Sequence, residues 1–349
     1  MEFSKILINW YLNNKRELPW RKTSDPYRIW LSEIMLQQTR IEQGMPYYYR
    51  FTEAYPTVFD LAAAPQDEVL KRWQGLGYYS RARNLHETAQ YVAEELQGEF
   101  PYNYKELKKL KGVGDYTASA IASICYNEPV AVVDGNVYRV LARYFAIDTP
   151  INSTSGIKEF KALAQELLDK EEPSLFNQGL MEFGALQCKP QNPLCETCPF
   201  NNSCLALKHN RISELPVKLK KAKIKKRYFN YLVFKSEGNE TLLQRRTGKG
   251  IWNGLYEFPL VETEKPVEAE AFSSEERFRE IIGEENVELM LHNDTPVVHK
   301  LSHQHIYTHF WLVKSESLPE KGISIENVED YPVPVLIQNF LNEVGLESW

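Results

Sequence analysis

Four cysteines lie close together in the chain, and their spacing suits a metal centre. They are Cys188, Cys195, Cys198 and Cys204, separated by six, two and five residues. Structural zinc usually takes two C-x2-C pairs well apart in sequence, whereas iron–sulfur clusters accept one compact loop of thiolates. The single C-x2-C pair with unequal outer gaps therefore favours an iron–sulfur cluster, with zinc as the alternative. Cys125 stands apart in an apolar helical run, which predicts a buried thiol.

Two carboxylates are candidates for acid chemistry. Glu33 lies in the apolar run Trp30-Leu-Ser-Glu-Ile-Met-Leu-Gln37, where it is either a solvent-facing residue or a buried acid. Asp134 precedes a predicted helix, where an N-cap is the plain structural explanation. Hydrolysis of an N-glycosidic bond needs an acid that protonates the leaving base and an ionised carboxylate that stabilises positive charge on the sugar. Only the separation of the two residues in space decides whether they cooperate.

A glycine-bearing turn between two predicted helices is a candidate site for phosphate. Gly112 and Gly114 follow Lys111 in the string Leu110-Lys-Gly-Val-Gly-Asp-Tyr-Thr-Ala118. Glycines allow tight turns and expose backbone N–H groups at the start of a helix, where anions bind favourably. The alternative is an ordinary helix–turn–helix with no ligand.

Hydrophobic periodicity predicts helices as far as about residue 213 and a mixed α/β pattern after residue 228. The chain of 349 residues is long enough for two domains. Helices are predicted at 27–44, 65–74, 80–97, 103–109, 115–126, 134–145, 155–170 and 174–187. Strands are predicted at 228–235, 240–245 and 304–313, with helices at 273–282 and 332–344. The fold class is therefore an all-α domain followed by an α/β domain.

Charge is unevenly distributed along the chain. The net charge is −6, yet residues 214–227 carry seven Lys/Arg against one Asp/Glu, which is the composition of a basic linker. A basic segment beside a nearly neutral helical domain is compatible with nucleic acid. The N-terminus has no secretory pattern, and no run of about 18 apolar residues predicts a membrane span. We therefore expect a cytoplasmic protein with no disulfide framework.

Taken together, the glycine hairpin, the downstream Asp134 and the four-cysteine loop resemble the helix–hairpin–helix superfamily of base-excision glycosylases. Within it, four strings resemble the MutY adenine DNA glycosylases: Leu18–Arg21, Ser32–Thr39, Gly75–Asn84 and Asp134–Val137. The resemblance implies a helical glycosylase domain at 1–213 with a 4Fe–4S cluster in the loop 188–204. It further implies a linker at 214–227 and a MutT-like (Nudix-like) lesion-recognition domain at 228–349.

The endonuclease III family shares the hairpin and the cluster, but has a catalytic lysine two residues after the second glycine. This chain has Tyr116 at that position. Without an amine at this position, the efficient lyase route through a Schiff base is missing. The resemblance therefore implies a monofunctional adenine glycosylase without efficient lyase activity.

The resemblance also implies roles for individual residues. Glu33 would protonate adenine, Asp134 would stabilise the sugar cation or bind it covalently, and Tyr116 and Asn136 would orient these carboxylates. A pocket for the extruded adenine is implied at Trp20, Arg21 and Gln178. Contacts to the duplex are implied at Gln38, Tyr78, Lys111, Gly112 and Gly114, of which Gln38 and Tyr78 would fill or wedge the base stack.

The C-terminal region resembles the MutT-like domain through Leu242–Arg246 and Ile251–Pro259. Its candidate helix Ser274–Ile282 lacks the glutamate order of a working Nudix hydrolase, so pyrophosphatase activity is not expected. The family carries a Phe-Ser-His loop that inspects 8-oxoguanine. Here Ser302 and His303 match, but Leu301 replaces the aromatic residue, which weakens any stacking or packing that the Phe supplies. Histidines at 299, 303, 305 and 309 would share one face of a strand, loosely spaced for a metal.

The expected partner is double-stranded DNA with adenine opposite 8-oxoguanine or guanine. The protein would act as a monomer at the nucleoid of a bacterial-type cell. Three other classes stay open: a bifunctional pyrimidine-lesion enzyme, a non-catalytic DNA-binding or redox module, and a nucleotide pyrophosphatase.

Overall fold

Helices occupy most of the chain as far as residue 208. The structure is a computed structural model that describes residues 2–220, 224–283 and 285–345. The helices before the sheet are α1 Glu2–Asn14, α2 Pro26–Met35, α3 Ile41–Ala54, α4 Val58–Ala63, α5 Gln66–Trp73, α6 Ser80–Glu94, α7 Tyr104–Leu107, α8 Asp115–Tyr126, α9 Gly135–Tyr144, α10 Thr154–Leu167, α11 Pro173–Leu186 and α12 Leu205–Lys208. A short 3-10 helix lies at Pro19–Lys22.

The first strand begins inside the basic segment, at Lys225. The strands are β1 Lys225–Ser236, β2 Glu240–Thr241, β3 Gln244–Arg245, β4 Tyr256–Glu257, β5 Leu260–Thr263, β6 Val287–Leu291, β7 Val297–Lys300, β8 Gln304–Ser315 and β9 Ile323–Ser324. The later helices are α13 Ala269–Phe272, α14 Glu276–Ile282 and α15 Val335–Val344, with a 3-10 helix at Ile325–Asp330. The predicted order of an all-α part followed by an α/β part is confirmed.

The chain forms two compact units, whose limits differ from a simple division in sequence. One unit is Met1–Ala63 with Asn84–Lys220, and the other is Ala64–Arg83 with Lys221–Trp349. The segment 64–83, which contains α5, thus belongs with the sheet. The predicted linker 214–227 is also divided: Leu215 is buried, the Val217 carbonyl accepts from the Ile151 amide at 3.0 Å, and Lys225 already begins β1.

The predicted helix 27–44 is wrong, because the chain turns in the middle of it. Helix α2 ends at Met35 and α3 begins at Ile41, so that Pro46 lies inside a helix rather than after one. Gly44 permits this arrangement, since a Cβ at Gly44 would lie 2.9 Å from Leu36 Cδ2. The turn itself requires the left-handed backbone of Gln38, with φ of 55°, and hydrophobic periodicity carries no signal for such a conformation.

The helical unit has an aromatic core between α1, α9, α10 and α11. Phe3, Phe160, Phe176 and Phe183 are buried there, and Phe200 from the cysteine-bearing stretch stacks on Phe3 at 4.7 Å between ring centroids. The same core thus supports both the start of α9 and the stretch that carries the cysteines.

The second unit is built on a mixed sheet in the order β5-β1-β8-β6, with β7 also paired to β8. Strands β1 and β8 run parallel over their whole length, and the other pairs are antiparallel. Phe272, which ends α13, stacks on Trp311 of β8 at 4.1 Å and covers one face. No helix within the described ranges is long and apolar enough to cross a membrane.

The register of β7 and β8 corrects one expectation for the histidines. His299 pairs with Ile306, so it faces the side of the sheet opposite to His305 and His309. The four histidines therefore do not share one face. Over residues 2–220, 224–283 and 285–345, no three His, Cys, Asp or Glu side chains converge as ligands of a single ion would.

Candidate active site and cysteine pocket

Glu33 is buried on the inner face of α2. The helix begins at Pro26 with Asp25 as N-cap, and Glu33 is only 8% exposed. The pKa of Glu33 is raised from 4.5 to about 7: burial is the largest cause and the charge of Asp134 adds to it, whereas the Tyr116 hydroxyl and Arg21 oppose the rise. The choice that the sequence left open is decided: Glu33 is a buried acid, and a large fraction of it is protonated near neutral pH.

Asp134 lies close enough to Glu33 to affect its titration, and it is the N-cap of α9. One carboxylate oxygen accepts from the Asn136 and Val137 amides at 2.9 and 2.8 Å, and the other accepts from Asn136 Nδ2 at 2.8 Å. Burial raises the pKa of Asp134, and these donors oppose the rise because they stabilise the ionised form. The two carboxyls therefore have different environments, one apolar and one rich in donors.

Tyr116 lies at the start of α8, close enough to Glu33 and Asp134 for their charges to affect its hydroxyl. Burial raises the pKa of its hydroxyl well above the usual range, and the charges of Glu33 and Asp134 raise it further. The hydroxyl also lies 3.4 Å from Met181 Sδ on α11. Tyr116 is thus a neutral donor beside the buried acid.

Asn136 connects Asp134 to the cysteine-bearing stretch. Its Oδ1 accepts from Arg139 Nη2 at 2.9 Å, and Arg139 Nε in turn donates to the Cys188 carbonyl at 2.8 Å. Gly184 makes room for this contact, since a Cβ there would lie 2.6 Å from Asn136 Cβ. A continuous hydrogen-bond path therefore joins the candidate catalytic carboxylate to the first cysteine of the loop.

The three residues predicted to hold adenine are all engaged within the helical unit. Trp20 is buried and lies edge-on to Tyr48 at 5.2 Å. Gln178 accepts from the Tyr11 hydroxyl and donates to Ser174 Oγ, both at 3.1 Å. The guanidinium of Arg21 donates to both oxygens of Glu182 at 2.8 Å and is close enough to lower the pKa of Glu33. Their assignment to an adenine pocket stays a prediction.

Sequence reasoning missed the partner of Arg21. Glu182 is only 1% exposed, and it also accepts from the Arg16 guanidinium at 2.6 Å. These hydrogen bonds outweigh burial and hold the pKa of Glu182 at about 2. The sequence signal that could have indicated this ion pair is a lone glutamate inside the apolar run Phe176–Leu186, because a buried carboxylate needs a cation nearby.

The glycine hairpin has the open backbone that its sequence predicts. Gly112 has φ of +75°, and a Cβ there would lie 2.8 Å from Asn84 Cβ, so only glycine fits. Gly114 is the N-cap of α8 and is exposed. Lys111 is exposed and forms an ion pair with Glu87. Its role in binding phosphate stays a prediction.

The two residues predicted to enter the duplex share one backbone conformation. Gln38 and Tyr78 are both exposed, and both have positive φ, 55° and 48°. This region costs energy for a side chain as bulky as tyrosine, and such strain concentrates at functional sites. The strain supports the predicted functional role of Tyr78.

Ser302 and His303 lie in the turn between β7 and β8 and are exposed. Ser302 Oγ and His303 Nδ1 are 3.4 Å apart, and the His303 carbonyl accepts from the Lys225 amide at 3.2 Å. The loop therefore presents two polar side chains to solvent on a braced backbone.

All four cysteines of the loop line one pocket. Cys188, Cys195, Cys198 and Cys204 surround it together with apolar side chains and Arg143. A compact loop whose four cysteines line one pocket suits an iron–sulfur cluster. Burial raises the pKa of the Cys198 thiol to about 11, so bound metal must stabilise the thiolate.

Arg143 fastens the loop to α9. It is buried, and its guanidinium donates to the carbonyls of Leu215, Lys189 and Pro190 at 3.0, 2.7 and 3.0 Å and to Cys188 Sγ at 3.5 Å. One side chain of α9 thus binds the first cysteine, the two residues that follow it, and Leu215 beyond the last cysteine.

Replacing Arg143 should loosen the cysteine loop. We expect Arg143→Ala to lower the free energy of unfolding by about 2–5 kcal/mol, because several buried carbonyls lose their donor. The variant should also lose its visible cluster absorption to an iron chelator faster than the parent. Arg211→Ala, which removes an exposed ion pair with Asp148, is the control and should change both measurements less. Equal stability of Arg143→Ala and the parent would contradict the bracing role.

Family models match three parts of the chain. Residues 31–169 match the HhH-GPD superfamily base excision DNA repair protein, residues 188–204 match the iron–sulfur binding domain of endonuclease III, and residues 230–343 match the NUDIX domain. The second match covers the four-cysteine loop, so the chain holds a 4Fe–4S cluster there. The third agrees with the MutT-like resemblance.

Whole-chain relatives agree with these matches. The adenine DNA glycosylase of Buchnera aphidicola subsp. Schizaphis graminum is 36% identical over 262 residues, which are 75% of each chain. That of Homo sapiens is 46% identical over 213 residues, 58% of this chain and 39% of the relative. Two solved structures are similar to this chain. A thermostable thymine-DNA glycosylase has a TM-score of 0.56 and 32% identity, and the match covers 60% of this chain and 96% of that chain. An endonuclease III–DNA complex has a TM-score of 0.52 and 25% identity, and the match covers 60% of this chain and 95% of that chain. The chain therefore belongs to the adenine DNA glycosylases, a helix–hairpin–helix family of base-excision repair enzymes that hydrolyse N-glycosyl bonds.

Proposed function

We propose that this protein removes adenine mispaired with 8-oxoguanine, and less efficiently adenine opposite guanine, and leaves an abasic site. The observation that carries the proposal is the pair of unlike carboxyls: Glu33, buried with a pKa of about 7, and Asp134, held by three donors at a helix N-terminus. Paired carboxyls of this kind suit protonation of a leaving group and stabilisation of a sugar cation.

The proposed reaction breaks one bond and forms one. Glu33 gives its proton to a ring nitrogen of adenine while the C–N bond breaks, and the bonding electrons leave with the base. Asp134 stabilises the positive charge that grows on the sugar. Water then adds to the sugar carbon, and the Glu33 carboxylate takes a proton from it. Tyr116 and Asn136 keep the two carboxyls in place.

We propose that the reaction stops at hydrolysis. The position that would need an amine for a Schiff base is Tyr116, whose hydroxyl pKa is raised well above the usual range, so it supplies neither an amine nor an ionised nucleophile. This favours the hydrolytic enzyme over the bifunctional pyrimidine-lesion enzyme.

The remaining residues would bind the substrate. Lys111 and the hairpin glycines would hold phosphate, while Gln38 and Tyr78 would occupy the duplex when adenine leaves the stack. Trp20, Arg21 and Gln178 would contact the extruded base. Ser302 and His303 would form polar contacts with 8-oxoguanine, without the aromatic contact that the family's Phe supplies.

A single-turnover assay tests the proposed function. Duplexes would carry adenine opposite 8-oxoguanine, guanine, cytosine or thymine, and strand cleavage would be scored before and after hot alkali. We expect fastest excision opposite 8-oxoguanine, then guanine, with breaks only after alkali. The double variant Ser302→Ala/His303→Ala should reduce the preference for 8-oxoguanine over guanine. Breaks without alkali, with borohydride trapping of the enzyme, would contradict the hydrolytic mechanism; equal rates for all partners would contradict lesion recognition.

The rate should depend on pH through Glu33. Because the acid must be protonated and its pKa is about 7, the single-turnover rate should be level just below that pH and should fall about tenfold per pH unit above it. At more acid pH the rate should fall again, because Asp134, whose pKa is raised by burial, loses its charge. The profile would be measured on adenine opposite 8-oxoguanine, with DNA binding followed in parallel. A rate that rises through pH 7–9 would assign Glu33 a role as base rather than acid.

A further inference from the structure

The loop that carries Tyr78 is hydrogen-bonded at both ends to C-terminal residues of the same unit. Before the loop, Gln74 Oε1 accepts from the Val333 amide at 3.2 Å, and its Nε2 donates to Gln338 on α15. After the loop, Arg83 Nη1 donates to the Asn253 carbonyl. Two of these three contacts are to backbone groups, so they hold the loop's ends at defined positions in the C-terminal fold.

Helix α5, just before the loop, makes a second set of contacts with the same part of the chain. Asp67 accepts from the Tyr256 hydroxyl at 3.1 Å and pairs with Arg245 at 3.1 Å, and Gln66 accepts from Arg245 at 3.0 Å. Gly254, with φ of +83°, lies where a Cβ would be 3.5 Å from the side chains of Leu70 and Arg83. The segment 64–83 is therefore an integral part of the second unit, as its contacts as a whole indicate.

Inside the loop, several contacts keep a strained backbone in one conformation. Trp73 Nε1 and Arg81 Nη2 both donate to the Gly77 carbonyl at 3.0 Å. The Arg81 guanidinium lies over the rings of Trp73 and Tyr78, 5.2 and 5.5 Å from their centroids. Gly75, Gly77 and Tyr78 all have positive φ. A conformation of this cost persists only when its surroundings determine it, and here the surroundings include the anchors at Gln74 and Arg83.

We propose that Gln74 and Arg83 are positioning residues through which the C-terminal α/β domain sets the place of Tyr78 in the duplex. This inference rests on the proposed function, in which Tyr78 enters the base stack. Ser302 and His303 belong to the same unit as Tyr78, so the contacts with the opposite base and the insertion that accompanies extrusion of adenine are made by one body. Recognition of the lesion is thereby coupled to extrusion of the adenine across from it.

The first experiment separates positioning from chemistry. The full-length Glu33→Gln protein, which should bind without cutting, is titrated into a duplex with 2-aminopurine beside the adenine opposite 8-oxoguanine. Insertion of Tyr78 should unstack the probe and raise its fluorescence. Adding Gln74→Ala and Arg83→Ala should reduce this rise, as adding Tyr78→Ala does, while Arg277→Ala, an exposed arginine paired with Glu280, should leave it unchanged.

The second experiment is a double-mutant cycle in the Glu33-containing enzyme. Gln74→Ala/Arg83→Ala should lower the single-turnover excision rate about tenfold to a hundredfold, since misplacement of a positioning group is costly. In a Tyr78→Ala background the same two changes should cost no more than about twofold, because their effect passes through Tyr78. Rate losses that multiply in full would overturn the proposal. Arg83→Lys, which retains a donor for the Asn253 carbonyl, should recover part of the rate; no recovery, with an unchanged cluster spectrum and thermal transition, would count against it.

The two experiments distinguish a failure of the proposed function from a failure of this inference. If the parent enzyme excised no adenine from any duplex, the proposed reaction would be wrong, whereas the fluorescence titration would still report whether Gln74 and Arg83 place Tyr78 in DNA.

Discussion

Glu33→Gln should abolish measurable adenine excision while leaving the protein folded and able to bind DNA. Glutamine keeps the shape of the side chain but has no acidic proton, so the base must leave as an unprotonated anion. Loss of a general acid lowers rates by about 10²–10⁴-fold. The measurement is single-turnover excision of adenine opposite 8-oxoguanine, together with the binding constant for the uncleaved duplex.

The control for this substitution is Glu53→Gln on α3, which removes an exposed carboxylate of the helical unit and should retain the parent rate.

The pH dependence of stability gives a second check on Glu33. Because the pKa of Glu33 is raised from 4.5 to about 7 in the folded protein, the free energy of unfolding decreases as pH rises through that interval. Glu33→Gln should remove this loss and flatten the pH dependence of the free energy of unfolding between about pH 4.5 and 7. Normal excision by the variant would show that Glu33 is only a buried structural residue.

Asp134→Asn should separate the helix cap from the chemistry. Asparagine caps helices about as well as aspartate, so the free energy of unfolding should change by no more than about 1 kcal/mol. Excision should nevertheless fall about 10²–10³-fold, the usual cost of losing an electrostatic group that acts in the transition state. The measurement pairs chemical denaturation with single-turnover excision on the same preparation.

If Asp134 were only a helix N-cap, the expected results would be the opposite. If Asp134 served only α9, Asp134→Asn would keep the parent rate and Asp134→Ala would lose stability in proportion to activity. Ser153, whose hydroxyl accepts from the Gly156 amide at 3.0 Å as the N-cap of α10, supplies the comparison. Ser153→Ala should cost about 1 kcal/mol of stability without a specific loss of excision.

Local sequence determined the chemistry that is available to this protein. The spacing of four cysteines identified the cluster-bearing loop, because cysteines so near in sequence must be near in space. The resemblance to the endonuclease III family, which has a lysine where this chain has Tyr116, predicts that efficient lyase activity is missing. Helix α8 was predicted at its actual limits, since Gly114 starts it and the apolar pattern continues to Tyr126. The inferences on the cysteine loop and on α8 used only interactions within about twenty residues.

The arrangement of that chemistry depends on contacts between segments that are distant in the chain. Glu33 could have faced solvent on an amphipathic helix; its burial, its coupling to Asp134 and its pKa near 7 depend on α8 and α9, which lie about 80 to 100 residues further on. The pairing of Arg21 with Glu182 and the anchoring of Gln74 and Arg83 likewise join distant segments. Hydrophobic periodicity reports which face of an element is buried but not which partner covers it. A carboxyl's pKa and a loop's position depend on that partner, so they are properties of the folded chain.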